Sequence, residues 1–174
     1  MSLYKEVHLD NLDVIINESL KLFPDNKKDK TSLFYIDNNR ELFLKIPELK
    51  NNLDRLKLTD HVYGFGFYIV FNNSPLGIHH DNGDIIYSLN LPLSGCKNTY
   101  VNFYRSSSQA EELLTMAGNK YFAYKKEDCD LIGRLELTSP HIINVKVPHA
   151  VVNNNNEPRI TLLIRLNTTV GELF

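Results

Sequence analysis

The sequence predicts a mainly β (α+β) fold, an antiparallel barrel or jelly roll supported by N-terminal helices. Three observations lead there. Helical periodicity is confined to the first 60 residues. From residue 61 onward, short runs rich in β-branched and aromatic residues recur, each bounded by Gly, Pro, Asn, Asp or Ser. No helical pattern of the kind a βαβ chain needs separates those runs, which points to a sandwich or barrel.

Leu12, Ile15, Ile16, Leu20 and Phe23 recur at helical spacing, with Asp10 or Asn11 as N-cap and Pro24 as a stop. "PDNKKDK" (24–30) reads as a solvated loop and "TSLFYI" (31–36) as a strand. Leu49, Leu53 and Leu56 follow Pro47 in the same rhythm and predict a second, shorter amphipathic helix. The strands begin with "HVYGFGFYIVF" (61–71), "DIIYSLNLPL" (84–93), "TYVNFYR" (99–105) and "KYFAY" (120–124). "HIINVKV" (141–147), "HAVV" (149–152) and "RITLLIRL" (159–166) complete the set. "LIGRLEL" (131–137) suits a strand or a loop segment equally, and "RSSSQAEELLTMAGN" (105–119) reads as a surface loop, with a short helix or lid as its alternative.

At 174 residues the chain is read as one domain, with 1–60 a helical support carrying one strand and 61–174 the barrel. Apolar content of 43% and charged content of 23% are ordinary for a soluble globular protein. A net charge of -2, with both signs mixed along the chain, argues against a nucleic-acid partner. Cys96 and Cys129 lack metal or CxxC spacing and read as reduced, small core residues. The start has no signal-peptide pattern and no stretch is long and apolar enough for a membrane, so a cytoplasmic location is expected.

The chemistry begins at "GIHHDNGD" (77–84). In a strand, His79 and Asp81 share one face and His80 takes the other. An H-x-D tripeptide alone is more often a polar turn before a strand. A second element changes the odds: "PHAVVNNNNEPRITLLIRL" places His149 before an Asn-rich turn and a further strand. If 148–152 and 159–166 form a hairpin, His149 and Arg159 lie nearly opposite each other. Arg159, Thr161, Leu163 and Arg165 then share one face, and Ile160, Leu162, Ile164 and Leu166 form the apolar other. Two histidines and a carboxylate on one face of an octahedral metal leave three positions open, enough for a 2-oxoacid chelate and O₂. Arg159 suits the far carboxylate of such an acid and Thr161 adds a hydroxyl. His141 rivals His149 as a ligand, although it reads better as a turn residue, and Arg165 rivals Arg159. His8 and His61 read as surface or capping residues. Gly64 and Gly66 read as a bulge or tight packing, and Tyr68 and Asn90 are marginal candidates for the co-substrate pocket.

This ordered set, "HHD" at 79–81, a distal His149, then "PRIT" at 158–161, resembles the 2-oxoglutarate/Fe(II)-dependent dioxygenases with a double-stranded β-helix core. Its tone is nearest to small bacterial and phage hydroxylase-like members. The resemblance covers well over half the chain, from 61 to 166. It implies His79, Asp81 and His149 as iron ligands, and Arg159 and Thr161 as the 2-oxoglutarate anchor. It also implies O₂ consumption with release of succinate and CO₂. Asp81 fills the position that halogenating relatives leave open for chloride, so hydroxylation is the implied outcome. The substrate would be a small molecule or a peptide side chain. Two alternatives stand beside it: a cupin-like metal- or ligand-binding barrel without oxygenase activity, and a non-catalytic β-sandwich for protein binding.

Overall fold

The computed structural model describes residues 2–23, 32–36, 39–71, 77–81, 85–114 and 120–167. Their strands form two six-stranded antiparallel sheets facing each other as a jelly roll. The first sheet runs, in spatial order, β1 (Tyr4–Glu6), β10 (His141–Asn144), β5 (Ile85–Ser94), β12 (Arg159–Asn167), β3 (Val62–Val70) and β2 (Ser32–Ile36). The second runs β7 (Glu111–Leu114), β8 (Lys120–Tyr124), β4 (Ile78–Asp81), β11 (His149–Asn153), β6 (Thr99–Ser106) and β9 (Cys129–Glu136). From β3 to β6 and from β9 to β12, consecutive strands alternate between the sheets, which is the winding of a double-stranded β-helix.

Parity along β12 decides where the core lies. Ile160, Leu162, Ile164 and Leu166 are buried on the outer face of the first sheet, together with Phe65, Phe67, Ile69, Leu89 and Leu91. Helices α1 (Leu12–Lys21), α2 (Asn39–Lys45) and α3 (Pro47–Arg55) cover that face with Ile15, Leu42, Leu49 and Leu53. Phe23 meets Phe67 edge-on at 5.4 Å and Phe43 meets Phe65 at 5.3 Å. Each such side chain contributes about 1.5–3 kcal/mol by leaving water. Asn52 of α3 pins this layer: its amide donates to the Asp10 and Glu48 carbonyls (3.0 and 2.8 Å) and its oxygen accepts the Asp10 N–H (2.8 Å). A smaller apolar cluster, including Val101, Phe103, Leu135, Ile143 and Val145, fills part of the space between the sheets.

Several elements differ from the sequence reading. Asn11 precedes α1 in a left-handed conformation (φ 55°, ψ 39°), and its side chain makes no capping bond. Its carbonyl instead accepts the Val14 and Ile15 N–H groups. Helix α2 and strand β1 were not expected; a seven-residue helix and a three-residue edge strand carry too few turns for a periodic signal. Residues 111–114, read as surface loop, form β7, and 129–136 settle as strand β9. Strand β10 ends at Asn144, so 145–147 turn rather than extend. Pro24, the "PDNKKDK" loop and residues 115–119 lie outside the described residues.

The largest correction concerns the expected hairpin. β11 and β12 do not pair; they belong to opposite sheets. The Asn-rich segment is a crossing held by its own amides. Buried Asn153 donates to the Val70 and Glu157 carbonyls (2.8 and 2.9 Å) and accepts the Asn155 N–H (2.9 Å). Asn155 in turn donates to the Lys97 and Gly95 carbonyls. Gly95 has φ +64° and a Cβ there would stand 2.2 Å from the Pro158 oxygen, so only glycine fits under the crossing. Among the described residues no helix is long and apolar enough to cross a membrane.

Candidate metal centre

β4 meets β11 at a single register position, His79 opposite His149. Directly paired residues project to the same side, and the two imidazole centroids lie 4.6 Å apart. Asp81, two residues along β4, shares that side. Its N–H donates to the Val145 carbonyl (3.0 Å) and its own carbonyl accepts from Lys146 Nζ (3.1 Å), so the backbone there is held from both directions. The three side chains offer ligand atoms that all lie within 4.8 Å of one another. A point central to such a triangle is within about 2.8 Å of each corner, so small side-chain rotations reach the roughly 2.0–2.2 Å of a metal bond.

Protonation suits the same use. His79 Nδ1 lies 2.9 Å from the Gly77 carbonyl and His149 Nδ1 lies 2.9 Å from the Val147 carbonyl. A carbonyl can only accept, so Nδ1 is the donor in both rings, which leaves Nε2 as the nitrogen available to a metal. Burial, then the neighbouring His79, push the His149 pKa down to about 4, against the pull of Asp81. His149 is therefore a neutral imidazole near pH 7, the form that binds metals.

The inner face of β12 looks across at these three side chains. Arg165 Nη2 stands 3.8 Å from Asp81 Oδ2, an ion pair that joins the two sheets. Six residues earlier, Arg159 is 1% exposed, the largest fully buried side chain described. Its Nε donates to Thr161 Oγ1 (3.1 Å), while Nη1 is buried without a partner among the described residues. Burial lowers the guanidinium's pKa, opposed by Cys96 and Tyr68; the Cys96 thiol is itself pushed up by burial. Buried Ser88, Asn90 and Tyr68 continue this polar wall.

The other candidates lie elsewhere. His141 is on β10 in the first sheet, with Nδ1 on the Ser139 carbonyl (2.8 Å) and its ring against Tyr4. His80 faces away from the cluster, stacked on Phe122 at 4.7 Å and bonded to the Tyr124 hydroxyl (2.8 Å). His8 is exposed beside Asp10, and His61 sits at the end of a short 3-10 turn. Gly64 lies opposite Arg165 with open space where a Cβ would be. Cys96 is buried and Cys129 half-buried, both as free thiols. The sequence reading missed Tyr121, whose ring meets His79 edge-on at 5.9 Å. Alternation in "KYFAY" separates Tyr121 and Ala123 from Phe122, but nothing local names the strand they pair with.

No family model matches the sequence, and no curated protein matches it. Solved structures do share the fold. The chain is similar to the non-heme alpha-ketoglutarate-dependent carbocyclase SnoK from nogalamycin biosynthesis, with TM-score 0.55, 10% identity, and coverage of 94% of this chain and 80% of that one. It is also similar to AviO1 from Streptomyces viridochromogenes Tue57, with TM-score 0.54, 13% identity, and coverage of 97% and 90%. The oxalate decarboxylase of Bacillus subtilis aligns at TM-score 0.38 and 9% identity over 86% of this chain, which spans only 28% of that one.

Proposed function

We propose that the protein is an Fe(II)- and 2-oxoglutarate-dependent oxygenase that hydroxylates a small molecule or an exposed side chain. One observation carries the reading beyond a bare metal site. Arg159 is a fully buried cation whose Nη1 has no partner among the described residues, on the inner face of the strand that reaches the ligand cluster through Arg165. Protein interiors rarely tolerate such a group unless something outside the chain pairs with it. A dicarboxylic 2-oxoacid suits both ends of this wall, and the likeness of fold to SnoK supports the assignment.

In this reading His79, Asp81 and His149 hold the ferrous ion through two Nε2 atoms and one carboxylate oxygen. When bound, the ion and its co-substrate supply O₂ activation coupled to decarboxylation, with succinate and CO₂ as products. Arg159 takes the distal carboxylate with its free edge, and Thr161 fixes the guanidinium's orientation through Nε. Arg165 is already engaged with Asp81 Oδ2, which suits it to steady the ligand carboxylate and to face negative charge at the metal. The carboxylate of Asp81 would supply the third protein ligand, which is why hydroxylation is the chemistry this reading assigns.

The test is a melting-temperature series with Mn(II) or Fe(II), followed by 2-oxoglutarate or N-oxalylglycine. Ligands that bind the folded state raise its melting temperature by mass action. A metal shift plus a further 2-oxoglutarate shift, with succinate released in air, supports the oxygenase. A metal shift without a 2-oxoglutarate shift leaves a cupin-like metal barrel. Absence of both leaves a non-catalytic β-rich protein.

A further inference from the structure

The second sheet does not end at the metal ligands. β8 pairs with β4 so that Ala123 lies opposite His79 and Tyr121 opposite Asp81. β7 then pairs with β8, placing Glu111 opposite Ala123 and Leu113 opposite Tyr121. Residues in direct register share a face. The four side chains therefore extend the ligand-bearing surface sideways, and the edge-on contact of Tyr121 with His79 at 5.9 Å fixes the direction independently.

This surface has a definite chemical order. Next to His79 stands Ala123, the smallest of the four side chains. Next to Asp81 stands the half-buried Tyr121, whose hydroxyl makes no hydrogen bond among the described residues. One strand further out come half-buried Leu113 and exposed Glu111. Two strand spacings put the Glu111 backbone about 10 Å from that of His79. On the opposite face of the same hairpin, Glu112 is paired with Lys120 at 2.6 Å. Glu111 has no cation among the described residues.

We propose that this hairpin is the wall on which the primary substrate lies, and that the substrate carries an ammonium or guanidinium group on an aliphatic stem. The stem packs on Tyr121 and Leu113, its C–H bonds pass over Ala123 beside the metal, and the cation meets Glu111. The proposal rests on the oxygenase reading for its chemistry, but its geometry stands on strand register alone. A basic free amino acid and a basic side chain of a peptide share this chemistry.

The experiment measures binding to the Mn(II)-loaded protein, by melting temperature and calorimetry, so that turnover is not required. The probes are L-lysine, L-arginine and N-acetyl, C-amide forms of each, with the corresponding norleucine and citrulline compounds as neutral isosteres. The cationic probes are expected to bind and the neutral ones not. Preference for free or blocked forms tells a small molecule from a side chain. Glu111→Gln, an exposed change that leaves the fold intact, weakens the cationic probes about two- to fivefold, the value of one solvent-exposed ion pair. Tyr121→Leu weakens both charged series. A protein that responds to Mn(II) and 2-oxoglutarate but not to the cationic probes, or whose Glu111→Gln variant binds them as well as wild type, overturns the wall alone. Binding that depends on Glu111 in a protein without a 2-oxoglutarate response keeps the wall and removes the oxygenase reading. A protein that answers to no probe at all refutes both.

Discussion

Replacing Arg159 with Met distinguishes a guanidinium kept for a ligand from one kept for the fold. Methionine preserves much of the stem and removes the charge. The wild-type group is 1% exposed, makes a hydrogen bond to Thr161, and leaves Nη1 unsatisfied. An unsatisfied buried donor costs about 1–3 kcal/mol, and the lost bond to Thr161 returns about 0.5–1.5. The net expectation is a ligand-free variant more stable than wild type by about 1–2 kcal/mol. At about 2–4 °C per kcal/mol for a chain of this size, its melting temperature rises by roughly 2–8 °C. With Mn(II) present and 2-oxoglutarate at 100 times its Kd, wild type gains about 2.7 kcal/mol and the variant none. The order of the two proteins therefore reverses when co-substrate is added. Calorimetry with and without 2-oxoglutarate, under nitrogen, reads both halves. A ligand-free variant that melts lower than wild type, or one that keeps the 2-oxoglutarate shift, refutes the reasoning.

Three further outcomes follow from the geometry. The His149 pKa is about 4 when folded against 6.5 as its ordinary value, so between those limits the unfolded chain takes up a proton that the folded protein does not. Metal-free stability should then fall by about 3 kcal/mol as pH drops from 6.5 to 4, and His149→Asn should flatten that slope in denaturant titrations. Asn153→Ala removes bonds to Val70, Glu157 and Asn155 at the sheet crossing, and is expected to cost about 2–4 kcal/mol and to weaken 2-oxoglutarate binding by displacing Arg159. An unchanged denaturation midpoint would contradict that assignment. Gly95→Ala drives a Cβ against the Pro158 carbonyl at a positive φ and should cost at least about 2 kcal/mol, read as a lower midpoint with an unchanged denaturant slope.

Much of this arrangement was legible in the chain because strand parity is local. The two-residue period alone puts His79 with Asp81 and separates Arg159, Thr161 and Arg165 from the apolar face of β12, where the structure also has them. Pairing partners are not local, and there the reading failed. "NNNNEP" has the composition of a hairpin turn, yet Asn153 points inward to the Val70 carbonyl and sends the chain to the other sheet. His149 consequently faces His79 rather than Arg159. β7 was hidden because "EELL" lies on a mostly exposed sheet margin, where no burial imposes alternation. Helix α2 is short and ends beside Pro47, so the chain offers it barely two turns in which to declare itself.

The single register pair between β4 and β11 has a mechanical meaning. β11 pairs with β6 at five positions and β4 with β8 at four, whereas β4 and β11 pair at one, so among the described residues the second sheet divides into two three-stranded ribbons with little pairing between them. A cation ligated by His79 and Asp81 on one ribbon and His149 on the other would rivet them together. Loading the protein with metal would then brace the β7–β8 margin as well as equip it for chemistry. Chelation should loosen residues 111–114 and 120–124 before it disturbs the helices on the far side.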